Sequence, residues 1–199
     1  MANRRYEQRS RAAKQEETRR RVAAATLELH EEVGPARTTV AEVARRAGVQ
    51  RLTVYNNFPD DYALVSACQS HFLAEHPPPD PAAALALQDP AERLSAALRA
   101  FYGWYRANQR TSENVRRDRG VVPALDRRMR ETSDVQLDGL AEALAAGFAA
   151  RGRPRKDVQA AVALALDFWT WRRLTREGLT DAAAADLMVE LARSAAAGR

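Results

Sequence analysis

The sequence predicts an all-α fold, on three observations. Apolar residues recur at three- and four-residue spacings along almost the whole chain, as one face of an α-helix requires. No stretch alternates apolar and polar residues as a half-buried strand does. Alanine, the strongest helix former, is abundant throughout. At 199 residues, 46% hydrophobic and 29% charged, the chain has an ordinary globular composition and enough length to bury a core.

In chain order, the first helix is expected over Gln15–Val33, where Val22, Ala25, Leu29 and Val33 form one stripe and Gly34 is placed to end it. The second opens at Thr39, because Thr39-Val40-Ala41-Glu42 has the spacing of a capping box, and it ends by Gly48. A short third helix is expected over 50–56 and a fourth over 60–75. His76-Pro77-Pro78-Pro79-Asp80-Pro81 cannot continue a helix, since proline lacks the amide donor and clashes with the preceding turn. This segment is the expected domain boundary. Five helical stretches are expected beyond it, over 83–108, 113–119, 122–151, 155–176 and 181–197, with Thr180-Asp181 opening the last one after Gly178.

The formal net charge of +5 is concentrated at the N-terminus. Residues 1–21 hold Arg4, Arg5, Arg9, Arg11, Lys14, Arg19, Arg20 and Arg21 against Glu7, Glu16 and Glu17. Residues 1–14 are expected as a basic flexible arm with a polyanionic partner, the alternative being a solvated tail that aids solubility. No apolar run approaches a bilayer-spanning length and no signal peptide is legible, so a cytoplasmic protein without a membrane partner is expected. The single cysteine, Cys68, agrees with a reducing compartment. An enzyme is not expected: there is no nucleophile elbow, phosphate-binding glycine loop or zinc-protease motif, and none of the three histidines stands in a recognisable catalytic arrangement. No cofactor is expected either.

Between Thr38 and Phe58, two short helices joined by Ala47-Gly48-Val49 have the packing pattern of a helix-turn-helix. Val40, Val43, Ala44 and Ala47 line one side, Val49, Val54 and Phe58 close the other, and Gly48 permits a left-handed turn. This leaves Arg51, Leu52, Thr53, Tyr55 and Asn56 pointing outward, a set suited to a major groove and its phosphate walls, or else to an ordinary polar surface turn.

Thr38-Thr39-Val40-Ala41-Glu42-Val43-Ala44-Arg45-Arg46-Ala47-Gly48-Val49, followed by Thr53-Val54-Tyr55-Asn56-Asn57-Phe58, with Gly34 four residues before the paired threonines, resembles the TetR family of bacterial transcription regulators over residues 20–65. The resemblance implies an Ω-shaped homodimer joined through its last two helices. It implies a three-helix DNA-binding domain over 15–59, a connecting helix over 60–76, and an effector-binding and dimerisation domain over 77–199. The implied partners are double-stranded DNA and a small-molecule effector, and the implied function is a ligand-responsive repressor released from a palindromic operator. A constitutive DNA-binding regulator without an effector is the alternative. By position, Thr39 and Thr53 would meet the DNA backbone, Arg51 and Leu52 the base edges, and Tyr55, Asn56 and Asn57 further phosphates or bases, with Thr38 a further DNA-binding candidate. Three residues depart from the family's pattern: Gln50 replaces a helix-capping residue, Asn57 a frequent histidine or tyrosine, and Asp61 a lysine that commonly meets a phosphate. An acid at a helix N-terminus favours the helix dipole instead.

Phe101, Trp104, Tyr105, Phe148, Phe168, Trp169 and Trp171 are either the walls of an apolar effector site or core. Of these, Phe101, Trp104, Tyr105, Phe148, Phe168 and Trp171 are the ligand-binding candidates, joined by Asp167, which either meets a cationic effector or faces solvent or the dimer partner. Cys68, His71 and Glu75 fall on one helix face and have metal-ligand chemistry, but that spacing is common and no metal is assigned. His30 reads as a core or rim histidine beside the first apolar stripe.

Overall fold

The computed structural model describes residues 2–148 and 156–197, and among them helices are the only regular structure. The chain divides into two compact units, Met1–Pro77 with Arg110–Met129, and Pro78–Gln109 with Arg130–Arg199.

The first unit holds α1 (Ala2–Glu32), α2 (Val40–Ala47), α3 (Arg51–Asn57), α4 (Asp61–Glu75), α7 (Gln109–Asp118) and α8 (Pro123–Met129). Its core follows the predicted stripes in most positions: Val22, Ala25 and Leu29 of α1 meet Val43, Ala44 and Ala47 of α2, Val54 and Phe58, while the expected Val33 is only half-buried and Leu64 joins instead. Burying each larger aliphatic or aromatic side chain there contributes roughly 1.5 to 3 kcal/mol, and this burial holds helices as short as α2 and α3 that would not persist alone. Here α1 begins at Ala2, so the stretch expected as a flexible arm is helical. The expected division at 59, 76 and 77 also differs from the compact units, because residues 110–129 belong to the first of them. Leu125 and Met129 share a small core with Val65 of α4, and Asn114 Nδ2 donates to the carbonyls of His30 and Glu31 at 3.0 and 2.9 Å. Those carbonyls lie in the last turn of α1, where no intrahelical donor remains.

The second unit holds α5 (Ala82–Leu85), α6 (Pro90–Ala107), α9 (Val135–Ala146), α10 (Lys156–Leu166), α11 (Phe168–Arg176) and α12 (Asp181–Ala197), with a π-helical turn at Arg130–Asp134 leading into α9. Three of the long helices expected here are interrupted. The 83–108 helix breaks before Asp89, whose carboxylate accepts from the amides of Ala91 and Glu92 at 2.9 Å each, with Pro90 in the first turn. The 155–176 helix breaks at Asp167, which takes an extended conformation and accepts from the Thr170 amide at 2.8 Å. The 122–151 helix is broken by the π-helical turn, and its second part ends at Ala146, before Gly147. The 181–197 helix starts as expected, with Thr180 Oγ1 accepting from the Ala183 amide at 3.2 Å.

Candidate functional site

The candidate site is built from the turn before α2 outward. Thr39 caps α2, its hydroxyl accepting from the Glu42 amide at 3.2 Å, while Thr38 Oγ1 donates to the Gly34 carbonyl at 3.0 Å. The Glu42 carboxylate does not complete the box; it takes Arg45, whose Nε lies 3.0 Å away. Gly48 ends α2 at φ 64°, the left-handed conformation the sequence requires of it. Gln50 makes no side-chain cap, so the entry to α3 is held by the backbone alone.

On α3, Val54 and Phe58 are buried and fix which side faces out. Leu52 and Tyr55 are 65% and 55% exposed, and Arg51 and Asn56 are exposed beside them. Arg51 and Tyr55, like Leu52 and Asn56, stand four residues apart and so share one side of the helix. Thr53 is half-buried. Asn57 departs from its expected role: its amide donates back to the Thr53 carbonyl at 2.8 Å and its Oδ1 is buried, so it helps finish the helix rather than face outward.

The surrounding charges are sorted by the fold. Arg46 binds Glu32 at 2.6 and 2.8 Å, with Glu28 at 3.4 Å, and Arg45 is held by Glu42. Arg20 pairs with Glu17 at 2.7 Å. Arg11, Lys14 and Arg21 are exposed and form no ion pair among the described residues. Arg19, which the sequence reading counted only as charge, turns inward: it donates to the Asn57 carbonyl, and its guanidinium lies 4.6 Å from the centroid of the Phe58 ring. Asp60 rather than Asp61 caps α4, accepting from the Ala63 amide at 2.7 Å, and Asp61 adds its charge in the first turn.

The possible metal triplet is split. Cys68 is buried with its Sγ 3.5 Å from His30 Nδ1, whereas His71 meets Glu75 at 3.4 Å. Burial pushes the Cys68 thiol up to about 12, with the Glu31 charge adding to the rise. Burial also pushes the His30 imidazole down to about 4, against a smaller upward pull from Asp118.

In the second unit, Tyr105, Phe168 and Trp171 are packed on one another at centroid distances of 5.4 to 5.8 Å and are buried. Tyr102, which the sequence reading passed over, joins them at 6.5 Å from both Tyr105 and Trp171. The hydroxyls of Tyr102 and Tyr105 each donate at 2.7 Å to the carbonyls of Ala165 and Leu166, and Trp171 Nε1 donates to Asp181 at 2.9 Å. Their polar ends are thus satisfied within the chain, and they form core. Phe101 is buried too, while Trp104 and Phe148 are half-buried at the margin of the same core. Asp167 is exposed, and its carboxylate caps α11.

Comparison with known proteins agrees with this architecture. Residues 22–68 match the family model of bacterial regulatory proteins, tetR family. No curated protein matches the chain. Among solved structures, a TetR-like transcriptional regulator from Rhodococcus sp. RHA1 is 19% identical with a TM-score of 0.61, over 92% of this chain and 97% of that one. NalD, described as the secondary repressor of the MexAB-OprM multidrug efflux pump in Pseudomonas aeruginosa, is 20% identical with a TM-score of 0.61, over 90% and 96%. A TetR-family regulator from Syntrophomonas wolfei is 17% identical with a TM-score of 0.62, over 92% and 96%. The helix-turn-helix thus lies within the residues matched by the tetR family model, and the chain shares the fold of these solved structures over nearly its whole length.

Proposed function

We propose that this protein is a cytoplasmic, homodimeric transcription repressor that holds a palindromic operator with α3 as its recognition helix and releases it when a small apolar or aromatic effector binds. The observation that carries the reading is the outward set of Arg51, Leu52, Tyr55 and Asn56 on a helix anchored by Val54 and Phe58. Arginine reads guanine bidentately, leucine contacts a thymine methyl, and the phenol and amide reach phosphates or bases. Thr38, Thr39 and Thr53 would approach the backbone beside them. The exposed Arg11, Lys14 and Arg21 would add sequence-independent attraction to phosphate. Among the described residues no helix is long and apolar enough to cross a membrane.

For the effector, the half-buried Trp104 and Phe148 are the ligand-binding candidates with surface left to offer, Trp169 being exposed as well, and Phe101, Tyr105, Phe168 and Trp171 would form the floor beneath them. The mutual packing of Tyr102, Tyr105, Phe168 and Trp171 favours the second reading, a constitutive regulator whose aromatics are only core. Native mass spectrometry of the purified protein, followed by titration of any occupant against operator binding, separates the two.

The test of DNA recognition begins with selection from a random duplex pool. The wild type is expected to enrich two inverted half-sites about one helical turn or a multiple apart. Arg51→Ala is then expected to cost roughly 1 to 3 kcal/mol and to relax preference at one position in each half-site. A uniform loss on all sequences would make Arg51 a phosphate contact, and no enrichment by the wild type would sink the reading.

A further inference from the structure

Arg19 lies in the basic run that opens the chain, yet it is placed differently from its neighbours. Arg20 is exposed and paired with Glu17, and Arg11, Lys14 and Arg21 are exposed and form no ion pair among the described residues. Arg19 is half-buried, and its guanidinium makes two contacts with the end of α3. It lies 4.6 Å from the Phe58 centroid, and its Nη1 donates to the carbonyl of Asn57, the last residue of the helix.

We propose that Arg19 is a positioning residue: from α1 it fixes the C-terminal end of the recognition helix and thereby the aim of Arg51, Leu52 and Tyr55, without itself binding DNA. The inference rests on the DNA-binding reading of α3. The need for such a clamp follows from the helix itself. Seven residues form too few internal bonds to hold a helix, and the Gln50 end has no side-chain cap. The last carbonyls of any helix lack intrahelical donors and carry the negative end of its dipole. A cation that donates to one of them answers both. The planar guanidinium can stack on a ring and donate in its own plane at once, which a lysine ammonium cannot do. Phe58 is buried, so the stack ties α1 to the residue that anchors α3 in the core.

The test uses the full-length protein, the R19Q and R19K variants, a duplex selected by the wild type and a random duplex, each titrated over a range of salt. A positioning role predicts that both variants lose about tenfold in affinity for the selected duplex, the equivalent of about 1.4 kcal/mol. It also predicts that they bind the random duplex as the wild type does and keep its salt slope. Amide exchange at Val54 and Phe58, whose amides donate to the Gln50 and Val54 carbonyls, should quicken in both variants while the rest of α1 and α4 stays protected. Recovery of affinity in R19K, or a slope shallower by about 0.9, the loss of one phosphate contact, would overturn the proposal in favour of direct DNA binding. Unchanged affinity and exchange would overturn it outright. If R19Q does not fold, R19K carries the same comparisons. If the wild type selects no duplex, the DNA-binding reading fails, and exchange at α3 still decides whether Arg19 clamps the helix.

Discussion

His30 shows how much one buried residue decides. Its ring sits in α1 beside Thr26, its Nδ1 faces the Cys68 thiol from α4, and its carbonyl is capped by Asn114 from α7. The charged group that reaches it is Asp118, whose own carboxyl is held below its ordinary value: burial pushes it up, and bonds from Arg117 and the Ala36 amide outweigh that. With the imidazole pushed down to about 4, an unfolded chain binds a proton below about pH 6.5 that the fold refuses. Stability is therefore fully present above that pH, and falls as the pH is lowered from 6.5 towards 4, by roughly 3 kcal/mol in all. His30→Phe removes this proton uptake, so urea melts of the variant should show a flatter pH dependence than the wild type across that window. Equal slopes would mean that the imidazole titrates freely in the fold. The sequence placed His30 at the core or its rim from its position beside the stripe. Its neighbours were illegible, because Cys68, Asn114 and Asp118 are brought to it by helices 38 to 88 residues away.

Among the elements, the helix-turn-helix was legible because each feature there is local: a cap three residues from its amide, a glycine one residue past a helix end, an apolar repeat within eight residues. The breaks at Asp89-Pro90 and Asp167 were equally local and carried ordinary capping residues, but the apolar period runs across them and concealed them. The return of residues 110–129 to the first unit had no local sign, since it depends on Asn114 meeting α1 and Asp118 meeting the turn after it. That turn makes an unequal pair of the two glycines flanking α2. Gly34, at φ 89°, is buried, and a Cβ there would collide with the Arg117 guanidinium and the Asp118 carboxylate. Gly48, at φ 64°, has open space around it. Gly48→Ala is thus expected to cost only the left-handed strain, about 1 kcal/mol. Gly34→Ala meets a conformation, φ 89° with ψ 158°, that essentially only glycine adopts, and it also displaces the carboxylate from the Ala36 amide, for a total of roughly 3 kcal/mol. Denaturant melts of the two variants measure the difference, and equal costs would mean that both the Gly34 backbone and the Asp118 contact yield without loss.

At the scale of the whole molecule, the palindromic operator proposed above would require two copies of the chain, and exposed leucines of the second unit are the surface we propose for pairing. Leu164 on α10 is 49% exposed, and Leu187 and Leu191, one turn apart on α12, are 47% and 41% exposed. Their opposite neighbours, Ala165, Leu166, Met188 and Val189, are buried in the unit's own core. The amphipathic pattern therefore has apolar residues left over after the core is filled, and a second copy of the same helices is the occupant that the proposed dimer supplies. Arginine at both Leu187 and Leu191 would set charges against charges across a two-fold interface while leaving the buried side of α12 untouched. The double variant is expected to keep its helicity and melt cooperatively, but to sediment as a monomer at concentrations where the wild type is a dimer. Linking two half-site contacts typically raises affinity by about 10²- to 10⁴-fold over one, so binding to the full operator should fall by that order while binding to an isolated half-site changes little. If the variant remains a dimer with undiminished operator affinity, these leucines lie outside the interface and the pairing surface must be sought elsewhere on the chain.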